Sequence, residues 1–291
     1  MLWLAATLFA AATALHRPQP EVLFAIRDDS QDREGSPDNL AIEPIAMITK
    51  RPGSCPGCWK LTFAQPPEDH DDEFEARYFQ RGRTYRMLAG GAEIGTVKVV
   101  KTTDLGCVSL AASVDVMPAR SKRDWNRLRL LAVGSLHVPP AKEVRREPDE
   151  AEDSALWKVA EQTLRAKGVP ASLFAKMEGG AMLATDLDHD GRRDLIGSFQ
   201  IYDAATQRTH SLFLIAMGKE GGGVRAEHVW YFTYVGDKGE SKHLVDTIDL
   251  DEDGTDEIVV SWGFYESNEY EILKRAGNKW KSVYRGGGSG C

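Results

Sequence analysis

Hydrophobic positions along the chain fall into three spacings, and each predicts a different element. Met1 to Leu15 (MLWLAATLFAAATAL) is apolar throughout and breaks at His16-Arg17-Pro18-Gln19-Pro20. The run is shorter than the roughly 20 apolar residues a spanning helix needs. Ala12-Thr13-Ala14 fits a small-residue cleavage site, so a removable export signal is predicted over 1–15, although no Lys or Arg precedes it. The second spacing alternates apolar and polar residues, as a strand does, in Trp59–Phe63, Gly95–Val100, Cys107–Val116 and Arg127–Val138. Gly90-Gly91 and Asp104-Leu105-Gly106 supply turns, and a β-rich N-terminal domain is predicted over 41–138. The third spacing is helical: Leu156, Val159, Ala160 and Leu164 predict a helix over 154–167. Arg165 and Lys167 suit its last turn, and Gly168 and Pro170 stop it, so 154–183 reads as helix and connector. Residues 16–40 read as a disordered polar leader, 139–153 as a charged linker, and Glu68–Glu73 as a solvated acidic loop.

From 184 to 291 the chain repeats itself. Asp186-Leu187-Asp188-His189-Asp190-Gly191-Arg192-Arg193-Asp194-Leu195-Ile196 aligns with Asp249-Leu250-Asp251-Glu252-Asp253-Gly254-Thr255-Asp256-Glu257-Ile258-Val259. The match continues through Ser198/Ser261, Phe199/Trp262 and Tyr202/Tyr265. A repeat of this size marks a duplicated supersecondary unit. Strands are predicted over Asp194–Tyr202, His210–Met217 and Glu227–Val235, and again over Glu257–Tyr265, Glu269–Lys274 and Lys279–Tyr284.

The spacing of the acids carries the candidate chemistry. A hard cation such as calcium takes about six to eight oxygens at about 2.3–2.6 Å. Alternate residues of a tight loop can turn carboxylates inward, which puts Asp186, Asp188 and Asp190 on one ion. Gly191 permits the turn, the Arg192 carbonyl is the next donor, and Asp194 closes the shell. The second loop offers Asp249, Asp251, Asp253, the Thr255 carbonyl and Glu257 in the same order. Two calcium sites are therefore expected. Magnesium suits them less, because it seldom accepts an all-protein cage. An EF-hand is excluded: its twelfth-position glutamate would fall on Gly197 and Val260, and a strand follows where that motif needs a helix.

Paired Asp-x-Asp-x-Asp-Gly-x-x-Asp/Glu loops running into strands resemble the FG-GAP/VCBS repeats of integrin-α-type β-propellers and bacterial surface proteins. The resemblance covers about 182–291. It implies a calcium ion in each loop, blades of antiparallel strands and a secreted, periplasmic or cell-surface location. The ligand positions it implies are Asp186, Asp188, Asp190 and Asp194, then Asp249, Asp251, Asp253 and Glu257, with Glu257 standing where aspartate is more usual. The expected fold is mainly β, with antiparallel β-propeller-blade-like repeats, a β-rich N-terminal region and one connecting helix. Two blades do not close a ring, so 41–138 either supplies further blades or the assembly is open.

Composition narrows the function classes. A net charge of -8 and the absence of a basic stripe argue against nucleic acid. Cys55, Cys58, Cys107 and Cys291 are even in number, as in a disulfide-bonded exported chain, while Cys55-Pro56-Gly57-Cys58 is also compatible with metal or redox chemistry. No Gly-x-Ser-x-Gly elbow, His-Glu-x-x-His helix or ligand-spaced histidine cluster occurs, so no catalytic residue is nominated. The expected function is a calcium-stabilised binding, adhesion or structural module with a protein or carbohydrate partner. An exported hydrolase-like enzyme and a CxxC thiol oxidoreductase are the alternatives. Trp230-Tyr231-Phe232 is a candidate contact surface, or else part of a buried strand.

Overall fold

The computed structural model describes residues 20–28, 40–50, 59–63, 71–103, 110–117, 130–136, 145–236 and 239–290. Its first unit is a barrel-like sheet. β1 (Glu21–Asp28) pairs with both β2 (Leu40–Lys50) and β7 (Leu130–Val133). The ring continues antiparallel through β4 (Thr84–Ala89), β5 (Ala92–Thr103) and β6 (Ala111–Met117) back to β2. β3 (Trp59–Phe63) extends the sheet along the distal half of β2. Alternate side chains sort to opposite sides of this wall, as the two-residue period of a strand requires. Phe24, Ile42, Tyr85, Met87, Val97, Val99 and Leu130 fill the interior together with Phe74 and Tyr78 of a short helix, α1 (Asp71–Tyr78). Their neighbours Leu23, Ala25, Ile48, Leu88 and Leu131 point outward into a second core.

That second core exists because another sheet covers the barrel wall. β12 (Ser241–Ile248), β13 (Glu257–Gly263), β14 (Ser267–Ala276) and β15 (Lys279–Gly290) form a four-stranded antiparallel meander. Its Val245, Val259, Ile272 and Tyr284 meet the outward residues of the barrel. Its opposite face offers Leu244, Ile258, Val260 and Leu273 to a second meander of β8 (Glu178–Thr185), β9 (Asp194–Asp203), β10 (Arg208–Gly218) and β11 (Val224–Val235). The far face of the second meander packs Leu195, Phe199, Leu212 and Leu214 against Leu156, Ala160 and Leu164 of helix α2 (Glu150–Ala166). The layers therefore run barrel, sheet β12–β15, sheet β8–β11, helix. Both meanders are covered on two faces, so their strands read as apolar runs such as Leu212–Met217 and Ile258–Val260. Each fully buried Phe, as at Phe199 and Phe213, contributes about 1.5–3 kcal/mol by leaving water.

β15 passes so close to the barrel that a side chain is excluded. A Cβ on Gly287 would lie 2.6 Å from the Ile45 carbonyl oxygen, and its φ of +68° is one that only glycine adopts freely. Nearby, the Tyr284 hydroxyl donates to the same carbonyl at 2.6 Å.

Several expectations are corrected. Glu21–Asp28, assigned to the polar leader, is a barrel strand: the apolar run Val22–Ile26 is buried, and its acidic flanks masked it. Asp71–Glu73, assigned to a solvated loop, opens α1, where negative charge suits a helix N-terminus. Helix α2 begins at Glu150, inside the expected linker, because Asp149 caps it. Glu178–Thr185 is a strand where a connector was expected, and Ser241–Ile248 is a strand that was not assigned. The four cysteines and the apolar run over 1–15 lie outside the described residues. Among the described residues no helix is long and apolar enough to cross a membrane.

Candidate metal centres

Each aspartate loop joins the end of one strand to the start of the next, β8 to β9 and β12 to β13, and the two loops are built alike. In the first, the Asp186 carboxylate accepts the N–H groups of Asp190 and Gly191 at 3.0 and 2.9 Å. In the second, Asp249 accepts those of Asp253 and Gly254, both at 3.1 Å. Asp190 accepts from Arg192 N–H at 2.8 Å, as Asp253 does from Thr255 at 2.9 Å. The closing acid reaches back likewise: Asp194 accepts Leu187 N–H, and Glu257 accepts Leu250 N–H, each at 2.8 Å. The left-handed residues also coincide, His189 with Glu252 and Gly191 with Gly254. These N–H bonds fix the carboxylates before any ligand arrives.

The result is two convergent acidic groups. Asp186, Asp188 and Asp194 bring ligand oxygens within 4.8 Å of one another, and so do Asp249, Asp251 and Glu257. Either group can hold a metal ion. Asp190 and Asp253, expected in the same shells, stand outside these triads. Asp190 pairs with the Arg192 guanidinium, and Asp253 turns one oxygen to Lys274 at 2.6 Å. Arg192 and Thr255 occupy corresponding turn positions and enter the loops through their N–H groups.

Two observations show that the donor sets suit a cation. Asp188 Oδ1 and Asp251 Oδ1 are buried oxygens with no hydrogen-bond partner, a costly condition for an acceptor. The second group already surrounds a positive charge: the Lys274 ammonium contacts Asp251, Asp253 and, at 3.1 Å, Glu257. In the first group Arg275 reaches Asp188 Oδ2 at 2.5 Å while both its remaining contacts, at 3.1 Å, are on Glu227.

Burial sets the electrostatics. It pushes the Asp194 carboxyl up to about 7, against two backbone N–H bonds and with help from Asp188 and Asp186. Burial and the neighbouring Asp251 charge raise Glu257 to about 8, although Lys274 opposes the shift. Asp249 is raised by burial too. A cation in the first loop would relieve Asp194, and one in the second would relieve Asp249 and Glu257.

Sequence reasoning missed Lys274, Arg275 and Glu227. The available signal was the basic pair at the end of a strand expected to form a hairpin with the one leaving the loop. It also missed the coupling between the loops, where Asp256 N–H donates to the Leu187 carbonyl at 2.8 Å. Burial raises Asp256 to about 7, and His189 lies 3.7 Å from it.

Trp230, Tyr231 and Phe232 do not form one surface. Trp230 packs edge-on against Trp262, with the Lys242 ammonium over both rings, whereas Tyr231 turns to the helix side and bonds His210 at 2.8 Å. Comparison with protein-family models, curated proteins and solved structures returns no match.

Proposed function

We propose that this chain is an exported calcium-binding β-repeat protein, in which calcium at the aspartate loops is structural and the molecule serves as a binding or adhesion module. The observation that carries the reading is the duplicated loop: the same N–H bonds and the same convergence of three carboxylates, twice. Oxygen-only donors favour a hard cation over zinc or copper. Several protein carboxylates on one loop favour calcium over magnesium, which usually binds through one or two carboxylates and keeps several waters. Two successive four-stranded antiparallel meanders that share a core are compatible with the FG-GAP/VCBS reading. The apolar run over 1–15 supports export, and millimolar calcium outside the cell would suffice for sites of about 0.1–1 mM affinity. The partner is a protein or carbohydrate surface.

Calorimetric titration of calcium into chelator-treated protein, with thermal melts in calcium and in EDTA, tests this. At calcium about a hundred-fold above Kd, stabilisation of about 2.7 kcal/mol is expected. For a chain of this size that is a rise of about 5–10 °C in Tm. No heat and no rise would reduce the loops to ordinary turns.

A further inference from the structure

The two loops share a backbone but not a neighbour. Leu273 pairs with Ile258 as Ala216 pairs with Leu195, and Ile258 follows Glu257 as Leu195 follows Asp194. Lys274 and Met217 therefore hold the same place, each beside the closing acid of its own loop. Met217 is buried between the two meanders and brings no charge. Lys274 instead inserts its ammonium among Asp251, Asp253 and Glu257. The carboxylates on either side of that difference are oriented by the same N–H bonds. The inserted ammonium is thus the largest difference in charge between the two centres, beside Glu257 in place of Asp194 and the Gly218 N–H bond that only Asp194 accepts.

We propose that Lys274 is the resident cation of the second loop, a covalently tethered substitute for metal, and that only the first loop takes a calcium ion. The inference rests on the calcium reading above and refines it. An ammonium in contact with three of the loop's acids competes with an ion for their oxygens and offsets part of the charge that would attract it. Its attachment to β14 makes it permanently available, whereas a free ion must be drawn from solution. Arg275 does not play that part in the first loop: its guanidinium is held by Glu227 and touches a single acid of the loop, at one oxygen of Asp188. Asp186 and Asp194 meet no side-chain cation among the described residues.

Calorimetric stoichiometry of the full chain with calcium chloride decides the matter. The expected result is one calcium per chain, lost in Asp188→Asn and retained in Asp251→Asn. Lys274→Met, which copies the first loop, is expected to bind two and to melt lower than the parent in EDTA, with the deficit recovered in calcium. Lys274→Gln provides the same test with a polar side chain of similar length. Two ions bound by the parent would overturn the inference and leave the calcium reading standing. A single site that survives Asp188→Asn but not Asp251→Asn would overturn it as well, by placing the ion in the wrong loop. No binding by the parent would sink both.

Discussion

Lys242 and Glu271 form a buried ion pair in which each side chain is nearly inaccessible. Burial lowers the Lys242 pKa, Glu271 opposes that, and the rings of Trp230 and Trp262 flank the ammonium. Removing one partner of such a pair leaves an uncompensated charge, at a cost of about 3–5 kcal/mol. Glu271→Leu should therefore destabilise by that amount in urea unfolding, while Lys242→Met with Glu271→Leu should return most of it. A double variant as unstable as the single would show that the pair is not the source. Residues of this kind were illegible in the sequence, because Lys242 and Glu271 meet only through the register of β12, β13 and β14. The loop acids were legible for the opposite reason. Asp186 to Asp194 organise themselves through bonds spanning a few residues, so linear spacing already encodes their geometry. Lys274 lies between these cases: its identity is plain, but its position depends on the β13–β14 pairing.

At the scale of elements, α2 shows how far a local rule carries. The stripe Leu156, Ala160 and Leu164 was readable and is buried as its period implies. Its start was not, because a capping box is an exchange of side-chain and backbone bonds within a charged segment. Asp149 Oδ1 accepts the N–H groups of Ala151 and Glu152, both at 3.0 Å, and Glu152 returns a bond to Asp149 N–H at 2.9 Å. Asp149→Ala should cost about 1 kcal/mol, seen as a lower urea midpoint at unchanged m. An unaltered midpoint would mean that packing on β9 and β10 alone holds the helix. Strands β8 and β12 escaped sequence reading for a different reason. β8 opens with Glu178-Gly179-Gly180, and β12 carries Lys242 and Asp246 at buried positions, so neither shows clean alternation. Tertiary partners, rather than local pattern, make them strands.

For the whole molecule, the join between barrel and meander is polar at its centre. Asp246, fully enclosed, accepts the N–H groups of Gly90 and Thr247 at 2.8 and 2.7 Å and pairs with Arg145 at 2.8 Å. Burial still outweighs the Arg145 charge and lifts its carboxyl from an ordinary 3.8 to about 6. A carboxyl whose pKa is higher in the fold contributes stability fully below its unfolded value and loses it as pH rises through the folded one. In EDTA the Tm should therefore fall from about pH 4 to about pH 6 through Asp246, and onward to about pH 7–8 through Asp194 and Glu257. Asp194 and Glu257 shift in the same direction by burial, although Lys274 opposes the shift at Glu257. A metal-free Tm that is flat or rising across that window would contradict the assignment.

The layer order has a consequence for the sequence of synthesis. Strands β12 to β15, made after both the barrel and sheet β8–β11, form the layer that lies between them. A chain leaving the ribosome thus completes its two outer layers first, each with an apolar face waiting for a partner not yet translated. Its cores cannot close in order of appearance, because the inner faces are sealed only when the final hairpin arrives. An unfinished chain exposes apolar surfaces of the kind on which growing polypeptides aggregate, until the middle layer is in place.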